Sequence, residues 1–181
     1  MSFFDSVNYI TDTLAHVLSE NKADQINEFI DYILNAKKVF VYGVGRSGHV
    51  GKGFAMRLVQ LGLKAYFIGE TVTPIVESGD VALILSNTGE TMSAIQTGNI
   101  VRRVGAKVIV VTSYKKSKLA HLANIVVCIP IKEEERRTSL APLGTLFEDS
   151  SMIFLDGIVS ELMQKLGETE ESMRSRHAIM V

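Results

Sequence analysis

Five short stretches of the chain are apolar almost without interruption: KVFVY (38–42), KAYFI (64–68), VALILS (81–86), KVIVVT (107–112) and NIVVCIP (124–130). They are rich in Val and Ile and show no polar alternation. A strand with that pattern must hide both faces, as in a parallel sheet covered by helices on each side. Segments of helical period lie between the runs. Val50, Phe54, Leu58 and Leu61 share one face, and Met92, Ile95, Val101 and Val104 make a less regular one. A shorter segment, KSKLAHLA (116–123), precedes the last run. Strand and helix in alternation predict a doubly wound α/β fold of five βα-type units, a three-layer α-β-α sandwich.

Helices extend beyond this core at both ends. Val7, Ile10, Leu14, Val17 and Leu18 step by three and four, as do Ile26, Phe29, Ile30, Ile33 and Leu34, so residues 1–36 read as a helical pair. The α/β core occupies 38–130. The charged run Lys132 to Arg137 reads as a solvated loop, and 143–181 as C-terminal helices with Ile153, Phe154, Ile158, Leu162 and Leu166 on one face. All 181 residues are expected to form a single domain.

Composition excludes several classes. With 19 basic and 20 acidic residues the net charge is −1, which gives no electrostatic footprint for nucleic acid. The single cysteine, Cys128, excludes a disulfide framework and a cysteine zinc site, and inside its apolar run it reads as a small buried hydrophobe. No apolar stretch approaches the ~18 residues of a membrane span. MSFFDSVNY carries no basic leader region. The expectation is a cytoplasmic protein with no membrane partner.

Two turns carry the chemistry. After the first run comes GVGRSG (43–48), with Gly43, Gly45 and Gly48 at the G-x-G-x-x-G spacing of dinucleotide sites. Glu70, 22 positions after Gly48, could serve as the acidic residue such a site needs on a ribose. Against that cofactor stand Arg46, Ser47 and His49 in the turn, which suit a small phosphorylated sugar, and the little chain left for a separate substrate domain. After the third run comes SNTGET (86–91). Ser86, Asn87, Thr88 and Thr91 put three hydroxyls and an amide on one strand-to-helix turn, and Gly89 lets the backbone approach a ligand. The N–H groups and dipole of the following helix favour an anion. A phosphate monoester needs many short donors around one point, and this turn supplies them.

Together the two turns resemble those of the sugar isomerase (SIS) domain family. GETVTP (69–74), PLGTLFE (142–148) and MRSRHA (173–178) are similar to segments of its 6-phospho-3-hexuloisomerase branch. The resemblance spans about residues 38–178. It implies a parallel sheet in order 2-1-3-4-5, with ligand at the carboxyl ends of strands 1 and 3. It also implies interconversion of arabino-3-hexulose 6-phosphate and fructose 6-phosphate through a cis-enediol, no cofactor and no metal, and a homotetramer. Arabinose 5-phosphate isomerase and a non-catalytic phosphosugar-sensing module are the alternatives.

Moving a carbonyl by one carbon needs a base tuned toward neutral pH. The resemblance puts that base at Glu148, with Glu70 in reserve, and gives His177 a part in moving protons between substrate oxygens, often from a neighbouring subunit. Gly45, Arg46, Ser47, Ser86, Asn87, Thr88, Gly89 and Thr91 are the expected substrate-binding residues, and His49 a further candidate beside the glycine turn.

Overall fold

The computed structural model describes residues 2–179; Met180 and Val181, the end of the expected C-terminal segment, lie outside it. The elements follow in the order α1 (Phe3–Ser19), α2 (Ala23–Asn35), β1 (Val39–Gly43), α3 (Gly45–Gln60), β2 (Ala65–Phe67), β3 (Val81–Leu85), α4 (Met92–Arg103), β4 (Lys107–Thr112), a 3-10 turn (Ala120–Leu122), β5 (Ile125–Cys128), α5 (Glu135–Leu140), α6 (Thr145–Leu166) and α7 (Glu170–Ser175). All five strands are parallel, in the order β2-β1-β3-β4-β5, as the resemblance implies. No described helix is long and apolar enough to cross a membrane.

Strand parity divides the core. Val39, Val41, Val81, Leu83, Leu85, Ile109, Val111, Ile125 and Val127 point to the side of α2, α3 and α6. Phe40, Ala82, Ile84, Val108 and Val110 point to the side of α4. Both sets are buried, which is why the runs show no alternation. On the thicker side Phe29 of α2 meets Phe54 of α3 and Phe154 of α6 edge-on, at 6.4 and 5.8 Å between ring centres. Such pairs add about 0.5–1.5 kcal/mol each to the burial of the rings. They fix α6, the longest helix, across α3.

The sequence reading needs four corrections. β2 and β3 are joined by a loop without a helix, and β4 and β5 by a single 3-10 turn, so the repeating βα unit is incomplete. α4 rests on the sheet through Ala94, Gly98 and Val101, whereas Met92 and Val104 are exposed; small residues allow a closer approach than the large ones expected there. The charged run ends in α5, and Arg137 is folded inward, donating to the Leu143 carbonyl at 2.9 Å and pairing with Glu133 at 2.6 Å. Cys128 is half-buried; burial pushes its thiol pKa up, and its sulfur lies 3.6 Å from the Ser113 carbonyl.

The tightest packing is where α3 leaves β1. A Cβ on Gly48 would lie 2.6 Å from the Gly43 carbonyl oxygen, and one on Gly51 would lie 2.9 Å from Val41. Gly53, on the same helix, faces open space. Gly48→Ala therefore lowers the thermal midpoint, at about 1–3 kcal/mol for an overpacked contact. Gly53→Ala leaves it unchanged or gains up to ~1 kcal/mol of helix propensity. Differential scanning calorimetry of the two variants checks the contrast.

Candidate active site

The first turn is shaped by its glycines and armed by the residues between them. Gly45 takes φ 59°, and α3 starts at once, with Val44 at its N-cap and no acidic residue in its first turn. The first helical bond runs from Gly48 N–H to the Val44 carbonyl, so the N–H groups of Gly45, Arg46 and Ser47 lie ahead of it. Ser47 is buried under the helix start, and Arg46 reaches outward.

The second turn opens beside the first, because Gly43 and Leu85 are register partners on neighbouring strands. Ser86 Oγ accepts from Gly89 N–H at 3.2 Å and shares a hydrogen bond with Thr91 Oγ1 at 3.2 Å. Thr88 Oγ1 accepts from Glu90 N–H at 3.2 Å. Thr91 occupies the N-cap of α4, yet its hydroxyl caps nothing. The turn therefore shows more than helix capping.

A strap from the end of β4 holds this turn. Ser113 Oγ donates to Asn87 Oδ1 at 2.7 Å, which turns the Asn87 NH₂ group away from it. The Thr112 hydroxyl and Ser113 N–H both donate to the Asn87 carbonyl. Gly89, at φ 64°, lies on Ser117, whose Oγ is 2.1 Å from where a Cβ would stand. Glu90 turns to the strap: its carboxylate accepts from Lys118 N–H at 2.9 Å and pairs with Lys118 Nζ at 2.9 Å. The Lys118 backbone and ammonium hydrogen bonds hold the Glu90 pKa below the ordinary glutamate value.

Glu148 arrives from the first turn of α6. Its side chain is 12% exposed. Oε1 accepts from Ser47 Oγ at 3.5 Å, and Oε2 lies 3.3 Å from Arg46 Nε without a hydrogen bond of its own. Arg46 also donates to Asp149 Oδ1 and Thr145 Oγ1, both at 3.3 Å. The guanidinium thus ties the glycine turn to the start of α6. A Cβ on Gly144 would stand 2.7 Å from Glu148 Oε1, so a side chain there pushes the carboxylate aside.

Just before it, Leu143 adopts φ 57°, a conformation that costs a residue with a side chain about 1–3 kcal/mol. Thr145, Asp149, Ser113 and Gly144 were not expected. Thr145 and Asp149 flank Glu148 at −3 and +1, the helical neighbours next to it in α6; Ser113 directly follows β4, the strand beside the loop-bearing one.

The expected residues do not all meet. A cavity of about 410 Å³ between α3 and α6 is lined by Arg46, His49 and Glu148. A larger one, about 1070 Å³, lies between the α1–α2 corner and the ends of β4 and β5, and takes in Thr88, Ser113 and Tyr114. The Glu148 carboxylate and the Arg46 guanidinium lie at the first. Glu70 does not line it; its exposed carboxylate pairs with Lys52 of α3 at 2.8 Å.

His177 is exposed and follows α7, which is anchored at the far end of α3. Arg176 donates to the Gln60 carbonyl at 2.9 Å and pairs with Glu168 at 2.8 Å. The 16 residues of α3, at ~1.5 Å each, put roughly 24 Å between the two ends. His177 cannot reach Glu148 of its own chain. No cluster of three or more metal-ligating side chains occurs among the described residues.

The sheet is a doubly wound parallel one in the order 2-1-3-4-5 with paired turns after β1 and β3, and residues 32–153 match the family model described as the SIS domain. The chain belongs to the SIS domain family. Within it, the chain is similar to the 3-hexulose-6-phosphate isomerase of Methanocaldococcus jannaschii, 35% identical over 87% of this chain and 83% of that one. The Bacillus subtilis protein of the same name is 33% identical over 91% and 89%. A solved Methanococcus jannaschii structure, from which a 3-hexulose-6-phosphate isomerase function was inferred, is 30% identical; it superposes with a TM-score of 0.89, covering 98% of this chain and 99% of that one.

Gly144→Ala moves the Glu148 carboxylate without touching the core. For a carboxylate with the base role that the resemblance implies, a displacement of about 1 Å costs on the order of 100-fold. The expected result is a loss of that order in kcat with an unchanged circular dichroism spectrum and melting curve.

Proposed function

We propose that the chain is a phosphosugar isomerase that interconverts arabino-3-hexulose 6-phosphate and fructose 6-phosphate. The observation that carries this reading is the meeting of Glu148 with Ser47 and Arg46 at the carboxyl edge of β1. It is a buried base beside donors, next to a turn rich in hydroxyls. Relatives that cover nearly the whole chain carry the same activity in their names.

In this reading the phosphate sits on Ser86, Thr88, Thr91 and the first N–H groups of α4. Hydrogen bonds to a charged acceptor are worth ~1.5–3 kcal/mol each, so the turn needs no lysine. Glu148 takes the proton from C2 of the 3-hexulose while the C3 oxygen gains one, forming the cis-enediol. The O2 proton then leaves and Glu148 returns its proton to C3, giving the 2-ketose. Ser47 and Arg46 face the oxygens on which charge develops. His177 relays the proton between O2 and O3.

Because His177 lies at the wrong end of α3, it acts in another subunit's site. The protein is accordingly a homo-oligomer, a tetramer as the family resemblance implies. Apolar side chains left exposed on a single chain, among them Phe3, Phe4, Met56, Val59, Met152 and Ile153, support association.

Two experiments test this. Supplying formaldehyde, ribulose 5-phosphate and a hexulose-phosphate synthase should yield fructose 6-phosphate when this protein is added. Glu148→Gln should lower that rate by about 10²–10⁴-fold, the usual contribution of a general base. No product, together with turnover of arabinose 5-phosphate, assigns the alternative substrate. Separately, Glu148→Gln and His177→Ala subunits, each nearly inactive alone, should regain activity when unfolded and refolded together. Failure of the mixture to exceed either variant would rule out the shared site.

A further inference from the structure

Arg46 has two carboxylates within reach and treats them differently. Nη2 donates to Asp149 Oδ1 and Nη1 to Thr145 Oγ1, both at 3.3 Å. Nε is equally near Glu148 Oε2, at 3.3 Å, yet that oxygen is buried and accepts no hydrogen bond. Glu148 therefore feels the charge of the guanidinium while the hydrogen bonds go to its neighbours. Helical spacing makes this possible. Thr145, Glu148 and Asp149 are the first, fourth and fifth residues of α6, so they share one side of its first turn. The Thr145 hydroxyl is itself oriented, donating to the Pro142 carbonyl at 2.7 Å and offering its lone pairs to Arg46. Arg46, Glu148 and Asp149 line the same cavity of about 410 Å³. Arg46 is 57% exposed, so packing does little to fix its long side chain, and these polar contacts must do so.

We propose that Asp149 is a positioning residue for the isomerisation, which holds the Arg46 guanidinium off the lone pairs of Glu148 and keeps it turned toward the sugar oxygens. The inference rests on the isomerase reading above. A guanidinium readily closes on a carboxylate with two parallel hydrogen bonds. With Asp149 removed, Glu148 is the carboxylate left in contact with Arg46, and such a closure would occupy the oxygen that has to take a proton from carbon. With Asp149 present, Nη2 is already engaged and only Nε faces the base. Asp149 acts through Arg46 and needs no contact with the sugar.

The test follows turnover of fructose 6-phosphate, with excess hexulose-phosphate synthase splitting the product and formaldehyde read out. Asp149→Ala should lose about tenfold or more in kcat with KM within about twofold, because the hydroxyl-rich turn that binds phosphate is untouched. Asp149→Asn keeps an acceptor oxygen in the same place and should recover most of that loss. Both should melt with the wild type, since an exposed ion pair adds little to stability. In an Arg46→Ala background, adding Asp149→Ala should change kcat no further, the mark of two residues acting as one. Wild-type kcat in Asp149→Ala would overturn the proposal. So would a full additional loss in the Arg46→Ala background, no recovery in Asp149→Asn, or a loss of kcat matched by a lowered melting temperature. If the wild-type protein itself gives no turnover, the isomerase reading fails and this inference with it, an outcome distinct from an active wild type with an indifferent variant.

Discussion

The close approach of α3 to β1 is the constraint on which the rest depends. The Gly43 carbonyl lies where a side chain on Gly48 would have to be, so the helix starts directly above the strand end. That puts the buried Ser47 over the carboxyl edge of the sheet and leaves Arg46 to reach sideways. Further along the buried face of the same helix, Phe54 enters the aromatic junction with Phe29 and Phe154, which sets where α6 crosses. Each buried ring stabilises the fold by roughly 1.5–3 kcal/mol. Only with α6 in that place does its first turn bring Glu148 to Ser47. A shift at the glycine contact therefore moves both halves of the site.

Charge in the site is arranged locally. The hydroxyl-rich turn contains no cation, and Lys118 of the strap is paired with Glu90. Its donors are neutral, and several are bonded to each other: Ser86 to Thr91, and Glu90 N–H to Thr88. Under the isomerase reading, a phosphate exchanges those internal bonds for stronger ones to a dianion, while Ser113, Thr112 and Ser117 keep the backbone still. Preorganisation of this sort limits the ordering cost of binding. The one exposed guanidinium nearby, Arg46, is shared between two carboxylates and is free of the phosphate turn.

Much of the architecture is legible in residue order, because burial on both faces leaves a plain mark on a strand. The five runs became five strands, and the turns after β1 and β3 could be named from their glycines and hydroxyls. Features set by tertiary contact left no such mark. The missing helix between β2 and β3 is covered by the loop's own residues, Ile68 and Val76. The buried face of α4 runs through Ala94 and Gly98, which carry almost no hydrophobic signal. Arg137, in a run that looks solvated, is drawn in by a carbonyl six residues away. Glu148 has no local signature at all: it is one acid on the first turn of a helix, where acids are common, and only the resemblance singled it out. Its partner Asp149 shares that anonymity, since what distinguishes either residue is a guanidinium about a hundred positions earlier in the chain.

The glycine spacing shows why a motif can be present without its usual ligand. In G-x-G-x-x-G the glycines meet backbone requirements. Gly43 and Gly48 permit close strand-to-helix contact, and Gly45 supplies the positive φ that turns the chain between them. None of those requirements mentions a nucleotide. They hold for any fold that starts a helix tightly on a parallel strand and offers its N–H groups to an anion. What the turn receives is decided by the residues in between and by what faces them. Here those are Arg46 and Ser47, set against Glu148 on another helix, while Glu70 pairs with Lys52 at the surface. The spacing identifies the scaffold, and the side chains it leaves free to point outward identify the chemistry.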